Sequence, residues 1–130
     1  MDYCIIDGKA YDVYVDSIQE YFNVTDTDNS GRAIANGRMI RDVIGTFIGH
    51  KVKFRRKGDN FAEYDSLCTH LMQPYESVNI KIAHNQETIE YEAYATNGQR
   101  EVERIDRSNG TIYWKELEIN FVPMEAQITP

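Results

Sequence analysis

The sequence predicts a mainly β domain of the α+β class, a two-sheet sandwich or barrel-like arrangement of strands with one helix flanking it near 60–72. Three observations predict it. Apolar and polar residues alternate along most of the chain, which is the period of strands. Aromatic residues suited to a pleated, half-buried surface are frequent, with nine Tyr and five Phe in 130 residues. Only one stretch carries apolar residues at helical spacing. With 42% hydrophobic residues there is apolar matter for a core, and no linker or repeat divides the chain, so 1–130 reads as a single domain.

Residues 3–6 form a short apolar patch before Asp7-Gly8, a turn dipeptide. Tyr11, Val13 and Val15, then Ile18, Phe22 and Val24, predict two strands or one long bent strand across 10–24. The stretch 25–37 is rich in Asp, Asn, Ser and Gly and predicts an extended surface loop. Alternation resumes with Ile44, Thr46, Ile48, Val52 and Phe54, so 44–56 reads as strand, with Gly45 and Gly49 marking a bend or bulge. Residues 37–43 also fit a helical turn. Phe61, Tyr64, Leu67, Cys68 and Leu71 share one helical face. Asn60 stands at the N-cap position with Glu63 three residues on, a partial capping box, and Pro74 ends the helix.

Beyond the helix, Val78, Ile80 and Ile82 alternate, and His84-Asn85-Gln86 predicts a turn. Ile89, Tyr91, Ala93 and Ala95 alternate in turn. Asn97-Gly98 is the strongest hairpin signal in the chain, with 99–105 pairing back. Asp106 to Gly110 predicts another turn. Leu117, Ile119 and Phe121 alternate with Glu116, Glu118 and Asn120, a half-buried strand with a polar face. The tail 123–130 is expected to fray from Gln127 onward or to order on a partner.

The net charge is −7 and the pI near 4.9. That opposes a bulk electrostatic grip on nucleic acid or anionic lipid. No apolar run is long enough to span a membrane, and without an apolar stretch after basic residues at the N-terminus no signal peptide is expected. Cys4 and Cys68 are expected as free thiols in a reducing compartment.

Catalytic signatures are missing. The run Asp26-x-Asp28-x-Ser30-Gly31 begins like a Ca²⁺ loop, but the twelfth position, where that loop needs a Glu, is Gly37. A solvated turn is the expectation. The histidines at 50, 70 and 84 show no metal spacing, and Cys68 and His70, two apart on a helix, do not face each other. No cofactor is implied. Glu87, Glu90, Glu92, Glu101, Glu103, Glu116 and Glu118 fall on polar alternate positions, as on a wetted sheet face. Lys51, Lys53 and Arg55 form a basic stripe opposite Val52 and Phe54. It reads first as a sheet face matched by neighbouring acids, then as a subunit contact, and last as a nucleic-acid track.

Several segments read together carry a resemblance: Tyr11–Val15 (YDVYV), Asp28–Arg32 (DNSGR), Met39–Thr46 (MIRDVIGT), Tyr91–Gly98 (YEAYATNG), and Trp114–Phe121 (WKELEINF) followed by Pro123-Met124. Over nearly the whole chain they resemble small virion proteins of phages and prophages of Gram-positive bacteria, of the minor tail, tail-tube and distal-tail kind. The resemblance implies a structural protein and not an enzyme, made in the bacterial cytoplasm and residing in the virion tail. It implies subunits joined into a ring, as in six-fold tail rings, with other tail proteins as partners and DNA only as passing cargo. Asp28, Asn29, Ser30, Gly31 and Arg32 would then be an inter-subunit loop. Glu90, Glu92, Glu116 and Glu118 would be lumen or interface acids, repelling DNA by like charge. The alternative is a monomeric accessory module that binds a host protein, or nucleic acid through Lys51–Lys57.

Overall fold

The computed structural model describes residues 3–26, 31–32, 37 and 39–130, with the backbone alone at 31, 32, 39 and 40. Their order is β1 (Cys4–Ile6), β2 (Val13–Asp26), β3 (Gly31–Arg32), β4 (Met39–Ile40), β5 (Val43–Arg56), α1 (Phe61–Met72), β6 (Val78–His84), β7 (Glu87–Gln99), β8 (Val102–Asp106), β9 (Thr111–Trp114) and β10 (Leu117–Pro123). The class is the expected one, mainly β with a single flanking helix. Six strands form one antiparallel sheet in the order β1-β6-β7-β10-β5-β2, and β3–β4 and β8–β9 form two-stranded ribbons.

Alternation decides which face is buried. On β5 the inward side chains are Ile48, His50, Val52 and Phe54; on β10 they are Leu117, Ile119 and Phe121; on β6, Val78, Ile80 and Ile82. Helix α1 lays Tyr64, Leu67 and Cys68 against this face, so that sheet and helix share one core. Each large aliphatic side chain removed from water here stabilises the fold by about 1.5–3 kcal/mol. The Tyr64 hydroxyl donates to the Lys115 carbonyl at 2.9 Å, which pins the helix to the segment leading into β10.

The sheet is curled. Strands β6 and β2 stand four places apart in the sheet, about 19 Å in a flat one. Yet His84 Nδ1 on β6 lies 2.7 Å from Glu20 Oε2 on β2. Two short side chains meet there only if the sheet bends around its buried face.

Four local expectations are corrected. Asn97-Gly98 does not turn the chain. β7 runs through it, and the register against β10 slips there, from Glu118↔Gln99 to Asn120↔Thr96. Asn97 takes φ 54°, which Asn tolerates, so the pair holds the extra residue of a β-bulge. Residues 99–105 accordingly do not pair back on β7; β8 pairs with β9. The described residues of 37–43 are not helical: Met39–Ile40 pair as β4 with Gly31–Arg32. Of the loop expected over 25–37, Thr25 and Asp26 instead end β2, with Asp26 held by two hydrogen bonds from Arg41 Nε and one from Nη2, and 27–30 and 33–36 lie outside the described residues.

The capping box does not form. Asn60 makes no side-chain cap bond; its amide instead donates to Asp12 at 3.1 Å, and Glu63 pairs with Lys9 at 3.3 Å. Nor does the tail fray at Gln127. The Thr46 amide donates to the Ile128 carbonyl at 2.7 Å, and the Gln127 side chain bonds both the amide and the carbonyl of Ile48, at 2.9 and 2.6 Å. The reason lies in register: β10 pairs with β5 only from His50 to Phe54. The tail supplies the missing partners further along β5, where buried peptide groups need them.

Candidate functional site

The outer face of the curled sheet carries most of the residues that the sequence singles out. Lys51, Lys53 and Arg55 do project together there, opposite the buried Val52 and Phe54. Two of them meet carboxylates from adjacent segments. Arg55 Nε lies 3.1 Å from each oxygen of Asp16, and its guanidinium stacks on Tyr14 at 4.9 Å. Lys53 reaches Glu116 at 3.8 Å. Next to the stripe, Lys57 holds Asp12 at 2.8 Å. The basic run is thus largely matched by acids of its own sheet, which leaves little free positive charge for a polyanion.

The four acids also face outward but form two groups. Glu90 and Glu92 stand on β7, opposite Lys81 and Asn79 of β6. Glu92 accepts from Ser77 and Asn79 at 2.9 and 3.2 Å. With Glu76 and Glu125 they rim an open groove of about 560 Å³. Glu116 and Glu118 lie toward the other end, beside Lys53 and Gln99. Of the loop residues, Asp28, Asn29 and Ser30 lie outside the described residues. Gly31 and Arg32 form β3, which pairs with β4.

One cluster was not foreseen. Glu20, His50, His84 and Tyr91 meet on the inner face. His50 is fully buried; its Nε2 lies 3.0 Å from Glu20 Oε2, and its Nδ1 2.7 Å from the Tyr91 hydroxyl. A carboxylate only accepts, so Nε2 carries the proton, and Nδ1 of the neutral ring accepts from Tyr91. Burial pushes the His50 imidazole below its ordinary range, with Glu20 opposing. Burial also raises Glu20, but the hydrogen bonds from His84 and His50 outweigh it and hold this carboxyl below the usual range. Burial pushes the Tyr91 phenol up, so it stays protonated and donating. Every member is satisfied by another, which makes the cluster a polar tie across the curl. It carries no free nucleophile. The signal for it was present in the sequence: Glu20 and His50 occupy inward positions of their alternations, where an apolar residue is the rule.

Both cysteines are free, and Cys4 is pushed up to about 12 by burial, so its thiol is unreactive. Asp26, the first residue of the Ca²⁺-like run, is occupied by Arg41. Among the described residues no cluster is fit to hold a metal ion, and no helix is long and apolar enough to cross a membrane.

Strand β2 lies at the border of the sheet. It has 14 residues, where about 5–6 is usual, and among the described residues it pairs with β5 alone. Tyr14, Val15, Phe22 and Val24 on it are 46%, 40%, 72% and 40% exposed. The ribbon β8–β9 is similarly uncovered, with Val102, Ile105 and Ile112 exposed. No family model matches this chain, and no curated protein is significantly similar to it.

Proposed function

We propose that this chain is a ring-forming structural subunit of a phage tail, a minor tail, tail-tube-like or tail-completion protein. The observation that supports it most is the long border strand β2. An edge of this length offers a row of backbone donors and acceptors, and proteins that stay monomeric usually blunt such edges. This one is lined with exposed apolar side chains instead. A second copy that adds a strand here removes both the unpaired edge and the apolar exposure. Because the opposite border, β1, is a different strand, pairing from border to border is heterologous, and heterologous contacts close into rings or continue as tubes.

In such a ring the acids Glu90, Glu92, Glu116 and Glu118 would stand on the wall facing passing DNA. Lys51, Lys53, Arg55 and Lys81 share that face and lower its net charge. The nucleic-acid form of the accessory-module alternative is disfavoured by the pairing of the basic stripe with Asp16 and Glu116. The experiment is light scattering after size exclusion over a range of protein concentration and salt, followed by electron microscopy of the heaviest fraction. Rings or short tubes of one discrete mass are expected. A strict monomer at millimolar concentration would overturn self-assembly through the β2 edge.

A further inference from the structure

The structure assigns to a small cavity beside Arg100 the binding of a short-chain aliphatic carboxylate. The cavity, of about 120 Å³, lies between the C-terminal half of α1 and the strands β7 and β10. Its wall is apolar, built from Cys68, Leu71, Met72, Leu117 and Ile119, with Arg100 on its border. A cavity of about 150 Å³ lined by aliphatic groups takes up benzene, so a chain of four or five carbons fits this one.

Arg100 supplies the polar half of the site. Its guanidinium carbon lies 3.9 Å from the Trp114 ring centroid and 5.8 Å from that of Tyr64, with which the guanidinium also hydrogen-bonds. Its Nη1 is buried and has no hydrogen-bond partner. The acids around it are engaged elsewhere: Glu101 with Lys115, Glu116 with Lys53, and Glu118 with Gln99. The side chain as a whole is half-buried, but a buried donor left without a partner is costly. An apolar hole bordered by a guanidinium that keeps one buried nitrogen, Nη1, without a hydrogen-bond partner selects a ligand with a hydrocarbon end and an anionic end. The guanidinium fork suits a carboxylate in particular.

The test is a titration of the ¹⁵N-labelled full chain with acetate, butanoate, pentanoate and octanoate at constant ionic strength, with 1-pentanol as the neutral analogue. Saturable amide shifts at Cys68, Gly98, Arg100 and Ile119 are expected. Affinity should rise at least tenfold from acetate to pentanoate, fall again at octanoate, and be at least tenfold weaker for 1-pentanol. Arg100→Gln should weaken pentanoate tenfold or more and leave 1-pentanol unchanged. Arg100→Lys, which keeps the charge but not the fork, should fall between. Shifts that do not saturate, affinity independent of chain length, or equal binding of alcohol and carboxylate would each overturn the assignment, and those readouts use the unaltered protein.

Discussion

The Tyr21 ring lies over Gly49, its cross-strand partner on β5, and its hydroxyl donates to Asn120 Oδ1 on β10, one strand further on, at 2.6 Å. A methyl group placed on Gly49 would stand 2.3 Å from the Tyr21 ring. The glycine thus leaves the bed on which one side chain crosses a strand and ties three together. Gly49→Ala is expected to destabilise the fold by about 1–3 kcal/mol, the usual cost of overpacking. In a Tyr21→Ala background the same change should become neutral or stabilising, because alanine suits a strand better than glycine. Urea denaturation of the four members of the cycle measures this, and additive effects would refute the coupling.

The Gln127 side chain acts as a surrogate strand for Ile48, accepting from its amide and donating to its carbonyl. Gln127→Ala leaves two partly buried peptide groups without partners and should cost about 1–3 kcal/mol. Gln127→Glu keeps the acceptor but loses the donor, and should cost nearly as much. Amide exchange at Ile48 should quicken in both variants while exchange at Val52, within the β10 ladder, keeps pace only with global stability. Equal acceleration at both amides would show that the tail contact is not local.

Much of this fold is legible in the sequence because alternation states which face of each strand is wet. The helix, the turn at Asn85-Gln86 and the polar face of β10 follow from residue type and spacing. Asn97-Gly98 misleads because the same backbone freedom serves a hairpin turn and a bulge, and only the partner strand chooses between them. The docking of Gln127 is illegible for a similar reason: it depends on where β10 stops along β5, a matter of register between segments about 70 residues apart in sequence. Glu20 and His50 show the converse case. Both break their alternations in a way that asks for a buried partner, but the sequence does not say that each is the other's.

Acid should loosen the protein in two stages, with the sign set by the two shifts in the inner cluster. His50 sits below its ordinary range, chiefly through burial. The unfolded chain therefore takes up a proton near pH 6.5 that the fold refuses, and stability falls as pH drops from about 6.5 toward the folded value. Glu20 is also lowered, by the His84 and His50 hydrogen bonds acting against burial. Its contribution is present above about pH 4.3 and is lost as pH falls through its folded value. Urea midpoints should hold from pH 8 to about 6.5, decline below it, and fall further below about pH 4.3, and His50→Gln should flatten the portion just below pH 6.5. An unchanged slope in that variant would exclude His50 as the source.

Arg55 and Asp16 make the best-formed ion pair of the basic stripe, yet Arg55 remains 54% exposed. Solvent screening limits such a pair to about 1 kcal/mol or less. Arg55→Ala should therefore shift the urea midpoint only slightly. If the stripe is a sheet face and not a ligand track, Lys51→Glu combined with Lys53→Glu and Arg55→Glu should leave affinity for single-stranded DNA as weak as in the parent chain. A salt-dependent affinity that the triple change abolishes would restore the nucleic-acid reading.

Phe22 separates folding from assembly. It lies on the border strand β2 opposite Ile48, and while Ile48 is buried at 3% exposure, Phe22 is 72% exposed. Removing an exposed ring changes the stability of the isolated subunit little, by about 0.5 kcal/mol or less. At the border of a sheet, a lysine opposes pairing with another strand, because its charge would have to be buried in the joint. Phe22→Lys should thus keep the urea midpoint of the monomer while raising the concentration needed for assembly at least tenfold. Ile105→Lys, on the exposed ribbon β8–β9 and away from the border, tests whether any loss of apolar surface has the same effect. If both substitutions weaken assembly equally, the contact is a general apolar one. If only Phe22→Lys does, subunits join by strand addition along β2.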